Sequence, residues 1–366
     1  MADFTPIRAL GLMSGTSMDG VDAAVLLTDG VDIQDFGESA FRPFTTSEME
    51  TLTAAQGLWP EDEPEILNAA LKIIQSAHAD IIGEFENIDL VGFHGQTLNH
   101  DPDSARTFQL GDGQDLAKRT NIPTAWDFRT NDMAHGGQGA PLAPFFHFAC
   151  AKWAGLTEPT AFLNLGGVGN VTLIDPSKPS PETDGALLAF DTGPANAPLN
   201  DLMQSRLKKP FDENGALAAT GTVDETILTR IFQRPYFAQK PPKSLDRHDF
   251  HDALALVEHL SDADAAATLT ALPAACVAAN QSHLPFQPAN WYICGGGAQN
   301  PTLMHELQNR LTGNVTQIES LNLDGDMLEA QAFAYLAART LRGLPISAPS
   351  TTGITKPKRG GKIATP

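Results

Sequence analysis

The chain has 366 residues, 42% of them hydrophobic, with 24 Lys and Arg against 44 Asp and Glu for a net charge of −20. That length exceeds one ordinary core, so two domains are expected. The acidic balance argues against non-specific binding to nucleic acid or an anionic membrane surface, though a local site can still take an anion. Cys150, Cys276 and Cys294 are widely spaced and form no disulfide or zinc pattern. No signal segment is evident, and no run reaches the roughly 18 apolar residues of a membrane span, so a cytoplasmic setting is expected.

In chain order, residues 8–14 and 21–28 read as strands, with Met18-Asp19-Gly20 as turn residues between them. Ile66, Ala69, Ala70, Ile73, Ile74, Ala77 and Ile81 predict a helix over 66–84. Residues 89–93 form a short apolar strand running into HGQTLNH. A helix over 114–120 and a strand over 122–125 lead into WDFR. Residues 131–144, NDMAHGGQGAPLAP, lack periodicity and suit a domain boundary or a functional loop. Residues 160–175 repeat the opening pattern of strand, glycine turn and strand, which suggests a duplicated α/β architecture. A strand over 186–190 and helices over 197–207, 224–233 and 264–283 follow. A strand over 291–294 ends at Gly295-Gly296-Gly297, and helices over 301–311 and 327–342 precede an extended tail over 347–366. The expected domains are 1–130, which 343–366 could complete, and 131–342.

Three glycine turns, at Gly15-Thr16-Ser17, Gly166-Gly167 and Gly295-Gly296-Gly297, each follow a strand. Glycine admits close approach, and backbone N–H groups with Ser or Thr hydroxyls can surround a phosphate there. Any one of them could equally be a structural hairpin. The P-loop, dinucleotide-fingerprint and H-E-x-x-H patterns are absent. Asp19 and Asp22 flank the first turn; they are turn and strand residues, or they hold a Mg²⁺ beside a phosphate. Asp191, at the end of LLAFDTGPAN, is a general base or a cap for the next segment. His94 and Gln96 end a strand, with His100 beyond; His94 is a core residue or a ligand contact. Asp127 and Arg129 share one face of an extended chain, as a structural pair or as a grip on a polar ligand such as a carboxylate. Lys243 and Arg247 fall in a Pro-rich loop whose default is solvated.

Taken together, GLMSGTSMDGVDAAV, HGQTLNH, DFRTNDMAHGGQGAPLAP, NLGGVGN, FDTGPAN, PPKS, CGGGAQNPTL and EAQAFAYLA resemble the anhydro-N-acetylmuramic acid kinases in order and approximate spacing, from about Arg8 to Arg342. The resemblance implies a two-domain actin/hexokinase-like α/β fold, a duplicated ribonuclease H-like unit with ATP in the cleft between domains. It implies conversion of 1,6-anhydro-N-acetylmuramic acid, ATP and water to N-acetylmuramic acid 6-phosphate and ADP in cell-wall recycling, with Mg²⁺ as cofactor and a homodimer as one candidate state. By motif, Gly15, Thr16, Ser17, Met18, Asp19, Gly20, Val21 and Asp22 would form the first phosphate hairpin. Gly166 and Gly167 would form the second, and Gly295, Gly296 and Gly297 would lie against the nucleotide. Asp191 would be the base, and His94, Gln96, Asp127, Arg129 and Glu329 would contact or support the sugar. Ala195 stands where the family carries Gly, Phe93 replaces a small residue, and SLDRHDF departs from the usual form. Another small-sugar kinase of the same superfamily and an ATP-gated scaffold are the competing readings.

Overall fold

The computed structural model describes residues 4–15, 17–245, 249–250 and 252–366. It forms two compact units, one of Met1–Leu156, Pro179–Asp184 and Met327–Pro366, the other of Thr157–Lys178 and Gly185–Asp326.

The first unit is built on β1 (Ile7–Ser14), β2 (Gly20–Thr28), β3 (Ile33–Pro43), β4 (Leu90–Asp101), β5 (Arg106–Leu110), β6 (Thr124–Trp126) and a last strand, Lys362–Ala364. β1 is central because its apolar run can be covered on both faces. It pairs antiparallel with β2 and parallel with β4; β3 forms one edge, and the last strand closes the other by pairing with β6. Alternation along β1 divides the layers. Leu10 and Leu12 join Leu67, Ala70, Ile74, Ala77 and Ile81 of the helix Pro64–Ile82. Gly11 faces the other layer, the helix Leu328–Leu341, whose Ala330 carbonyl a Cβ on Gly11 would overlap.

The second unit repeats the plan. β7 (Thr160–Leu165), β8 (Val168–Ile174) and β9 (Leu187–Pro194) form an antiparallel meander, and β10 (Asn290–Cys294) and β11 (Asn314–Gln317) continue in parallel beyond β7. Both sheets therefore run third, second, first, fourth, fifth strand in their own chain order, apart from the β5 hairpin and the closing strand. The expected duplication is present as a topology.

Several boundaries differ from expectation. Residues 131–156 stay with the first unit because the helix Pro144–Trp153 packs against β3 and the helix Leu328–Leu341. That latter helix packs on β1, β2 and β4, so it too belongs to the first unit rather than the second. The tail is not merely extended. It carries the short helix Pro349–Thr352 and the last strand, and it buries Ser347, Thr351 and Thr352. The helix expected over 197–207 is α-helical over Asn196–Leu202 and widens into a π-turn over Met203–Leu207.

Replacing Gly11 with Ala forces a methyl group into the backbone of a packed helix. Gly11→Ala should destabilise the first unit by about 3 kcal/mol, read from urea denaturation followed by far-UV circular dichroism.

Candidate functional site

β1 ends in a turn that its neighbours hold by side chains. Ser14 Oγ donates to Gln96 Oε1 at 2.6 Å, and Gln96 Nε2 donates to the Gly15 carbonyl at 3.0 Å. Gln96 is fully buried, so it supports the turn from behind and does not line the pocket described below. Thr16 lies outside the described residues. Met18 and Val21 point into the core, so their side chains are not ligand contacts; only their backbones could be. Ser17 Oγ donates to Asp19 Oδ1 at 2.9 Å, and both residues are exposed. Gly20 is packed against Arg42 and Phe41 of the neighbouring strand, and Asp22 sits within β2.

Beside this turn lies a pocket of about 470 Å³, lined among others by Gly15, Ser17, His94, His100, Arg129 and Glu329. Five of the expected site residues thus come together. The Arg129 Nε and Nη2 both donate to His94 Nε2, at 3.1 and 2.9 Å, and Nη1 donates to the Gly139 carbonyl at 2.8 Å. A guanidinium can only donate, so Nε2 is the acceptor and the His94 proton sits on Nδ1, which reaches the Gly95 carbonyl at 2.7 Å. Burial, then the Arg129 charge, push His94 well below the usual histidine range. With both ring nitrogens engaged, His94 serves as a seat for Arg129.

Arg129 is itself held down to about 10 by desolvation, which Glu329 and Asp132 partly offset. Glu329 opens onto the pocket, and the surrounding protein raises its carboxyl against the pull of Arg129. Burial brings His100 to about 4, with Arg129 acting in the same direction. The pocket thus presents a cation, a carboxylate, a neutral imidazole and the polar Thr97 and Gln109. Thr97 lies within the HGQTLNH motif but was assigned no role from it, and Gln109 carries no motif signal, because a hairpin brings it in from β5 beside β4. Asp127 is not among the lining residues. Its carboxylate pairs with Lys362 of the last strand at 2.6 Å, and its left-handed backbone, φ 55°, breaks the extended alternation that would have put it on one face with Arg129.

In the second unit, Gly166 and Gly167 form the β7–β8 turn, and their carbonyls accept the N–H groups of Asn196 and Ala195, both at 2.9 Å. Neither glycine has a left-handed backbone, and a Cβ on either would meet nothing closer than 3.7 Å. The fold does not demand glycine there. Gly295, with φ 75° and a Cβ position overlapping Asn164, and Gly297, packed on Leu165, are demanded by the fold. Ala195 has φ −115°, so the departure from Gly incurs no left-handed strain.

Asp191 lies on β9, half-buried. Its Oδ2 accepts the Leu245 N–H at 2.8 Å, its own N–H donates to the Lys243 carbonyl at 3.0 Å, and the Tyr236 hydroxyl donates to its carbonyl. Desolvation raises its carboxyl to about 7, against that one amide. Lys243 is buried rather than solvated, with Nζ donating to the Tyr236 carbonyl at 3.0 Å and lying 4.3 Å from the Tyr236 ring; burial lowers it to about 8. Arg247 lies outside the described residues.

A second pocket of this unit, about 450 Å³, is lined by residues that include Asn196, Asn200, Phe211, Gly296 and Gln299. Phe211 is 54% exposed, a large aromatic surface facing water. Apart from Gly296, the sequence reading missed this pocket, because its residues come from three separate segments.

Two sheets on one plan, with a glycine turn after the first strand of each, define a duplicated ribonuclease H-like α/β fold of the actin and hexokinase kind. The family model "Anhydro-N-acetylmuramic acid kinase" matches residues 7–366. A relative of that name from Ruegeria sp. (strain TM1040) is 54% identical over 361 residues, spanning 99% of this chain and 96% of the relative. One from Cereibacter sphaeroides is 55% identical over 360 residues, spanning 98% and 96%. Among solved structures, the activator of the 2-hydroxyisocaproyl-CoA dehydratase from Clostridium difficile with bound ADPNP is 13% identical. It covers 92% of this chain and 96% of that one, with a TM-score of 0.46. The chain belongs to the anhydro-N-acetylmuramic acid kinase family.

The glycine geometry separates by stability. Gly166→Ala and Gly167→Ala should leave the denaturation free energy within about 0.5 kcal/mol of the parent, and Gly295→Ala should lower it by about 2 kcal/mol. Chemical denaturation of the three variants checks this.

Proposed function

We propose that the protein is an ATP-dependent kinase that converts 1,6-anhydro-N-acetylmuramic acid and water to N-acetylmuramic acid 6-phosphate in peptidoglycan recycling. Family membership supports the reaction. Asp191 carries the mechanistic reading: a carboxyl raised to about 7 is matched to taking a proton near neutral pH. As water adds to the anomeric carbon, Asp191 accepts its proton, the C1–O6 bond of the anhydro bridge breaks, and O6 takes the γ-phosphoryl group of ATP, leaving ADP. General base catalysis contributes about 10²–10⁴ in rate, and positioning and charge stabilisation supply the rest.

The pocket around Arg129 and Glu329 has the mix of donors and acceptors that a polar sugar acid requires, and Arg129 suits a carboxylate. Gly166 and Gly167, whose missing side chains the fold does not call for, suit close approach of phosphate to the backbone. The pocket around Phe211 suits the nucleoside end of ATP, with the ring for the base and the amides of Asn196, Asn200 and Gln299 for polar edges. Mg²⁺ enters as the substrate Mg·ATP. Among the described residues no group of three or more His, Cys, Asp or Glu is arranged to hold a metal. The exposed carboxylate of Asp19 suits the usual pattern of one or two protein carboxylates plus phosphates. No helix among the described residues is long and apolar enough to cross a membrane. A cytoplasmic site of action belongs to this proposal.

Incubation with ATP, Mg²⁺, the anhydro sugar and H₂¹⁸O should place ¹⁸O at the anomeric carbon of the phosphorylated product; phosphorylated sugar without it contradicts the coupled mechanism. Asp191→Asn should lower kcat by about 10²–10⁴ while retaining nucleotide binding. The parent rate should fall about ten-fold per pH unit below about 7, as the base becomes protonated. Stability moves the other way. A raised folded-state pKa means the folded chain holds the proton more tightly, so stability is lost as pH rises from about 4 to about 7. Asp191→Asn should therefore be more stable than the parent at pH 8, by up to about 4 kcal/mol.

Phe211→Ala should raise the KM for ATP by up to about ten-fold, with the sugar KM unchanged in steady-state assays.

A further inference from the structure

Asp132 lies on the short helix Thr130–Met133 just after Arg129 and is 1% exposed; it falls within the DFRTNDMAHGGQGAPLAP stretch, but none of the candidate roles read from the sequence falls on it. Its Oδ1 accepts the hydroxyls of Ser347 at 2.5 Å and Thr352 at 2.8 Å, and its Oδ2 accepts the Gly139 N–H at 2.8 Å. The carbonyl of the same Gly139 accepts from Arg129 Nη1 at 2.8 Å. A parallel tie runs from the Gln138 N–H to the Thr352 carbonyl at 2.7 Å. Ser347 and Thr352 are fully buried. One carboxylate thus joins the tail, the loop and, through the single residue Gly139, the guanidinium that faces the pocket.

The chemistry requires a carboxylate at this position. Three donors converge on it, and an amide of the same shape would present N–H groups to at least one of them. A buried charge is costly unless it is hydrogen-bonded, and this carboxylate accepts two bonds at Oδ1 and one at Oδ2. Among the described residues, Asp132 is the side chain that accepts the Gly139 N–H, and the hydrogen bonds that orient Arg129 go to His94 and Gly139.

We propose that Asp132 is a positioning residue for the Arg129 pocket. Anchored on Ser347 and Thr352, it fixes Gly139 so that the Gly139 carbonyl holds the Arg129 guanidinium against His94. The consequence for turnover rests on the reading of this pocket as the sugar site; the geometric claim does not.

The test uses the full chain. Asp132→Asn removes an acceptor without changing size. Gly137→Ala keeps the charge and displaces it, because a Cβ on Gly137 would overlap the Asp132 carboxylate. At a temperature where circular dichroism shows each variant folded, kcat/KM for the anhydro sugar should fall about ten- to hundred-fold, with the KM for ATP within about two-fold of the parent. The double variant Arg129→Lys/Asp132→Asn should lose no more than Arg129→Lys alone, because both act through one group. Parental sugar kinetics in either folded variant, or additive losses in the double variant, overturn the proposal. If Asp132→Asn does not fold, Gly137→Ala decides on the same measurements. A readout without substrate separates this claim from the function itself. The ¹⁵N resonance of His94 Nε2 should move when Arg129 is released, and an unmoved signal in the variants overturns the positioning role even if the parent turns over no sugar.

Discussion

The close seating of the helix Leu328–Leu341 on the first sheet is the constraint on which the Arg129 pocket depends. A Cβ on Gly11 would overlap the Ala330 carbonyl, and one on Gly92 would overlap the Phe333 carbonyl. Two adjacent parallel strands therefore give up their side chains at one level so that a helix backbone can lie against them. That approach carries Glu329, in the first turn of the helix, to the pocket beside the ends of β1 and β4. It also places Phe333 4.5 Å from the His94 ring. A larger residue at either glycine would lift the helix and move Glu329 and the wall behind His94 together.

Charge in this pocket is balanced by position more than by pairing. Arg129 has no direct salt bridge to Glu329; it spends three donor contacts on a neutral imidazole and a carbonyl. Such contacts orient a guanidinium without neutralising it, leaving its field for whatever enters the pocket. Glu329, raised by desolvation, is the carboxylate that the described residues bring to the pocket lining in that field. A ligand with both hydroxyls and an anionic group would satisfy both. That is the physical argument behind the proposal that this pocket takes a sugar acid rather than a neutral polyol.

How much of this was legible in the sequence follows from what each element depends on. The β1–β2 and β7–β8 hairpins were readable because apolar runs met glycine turns, and the helix Pro64–Ile82 was readable from its spacing. The helix Pro144–Trp153 was not, because Phe145, Phe146, Phe148 and Ala149 bury it on all sides and leave no periodicity. β3 is an edge strand whose mostly exposed, polar residues lack a clean alternation. Its successor helix was announced by a capping box that went unread, Thr45 accepting the Glu48 N–H while Glu48 accepts that of Thr45. The tail looked extended because its buried Ser347 and Thr352 are satisfied by Asp132, more than two hundred residues earlier in the chain. Among site residues, Asp191 and Arg129 came from local motifs. The true roles of His94 and Gln96 did not, since both are defined by partners far away in sequence: Arg129 for one, Ser14 and Gly15 for the other.

The environments of Asp191 and Arg129 differ in a way that suits the proposed division between proton transfer and binding. Asp191 is desolvated with a single amide donor, and its carboxyl stands at about 7, where a small change of pH alters its charge. Arg129 is desolvated too, yet at about 10 it stays charged at neutral pH, and the histidine that seats it is held neutral by burial first and by the same cation second. A group that must exchange a proton needs an environment that leaves its two forms nearly equal in energy. A group that must hold an anion needs one in which a single form dominates. Burial acts on both, and the difference lies in where each group starts: desolvation lifts a carboxyl from 3.8 into the neutral range, while the same effect on a guanidinium that starts at 12.5 leaves it charged.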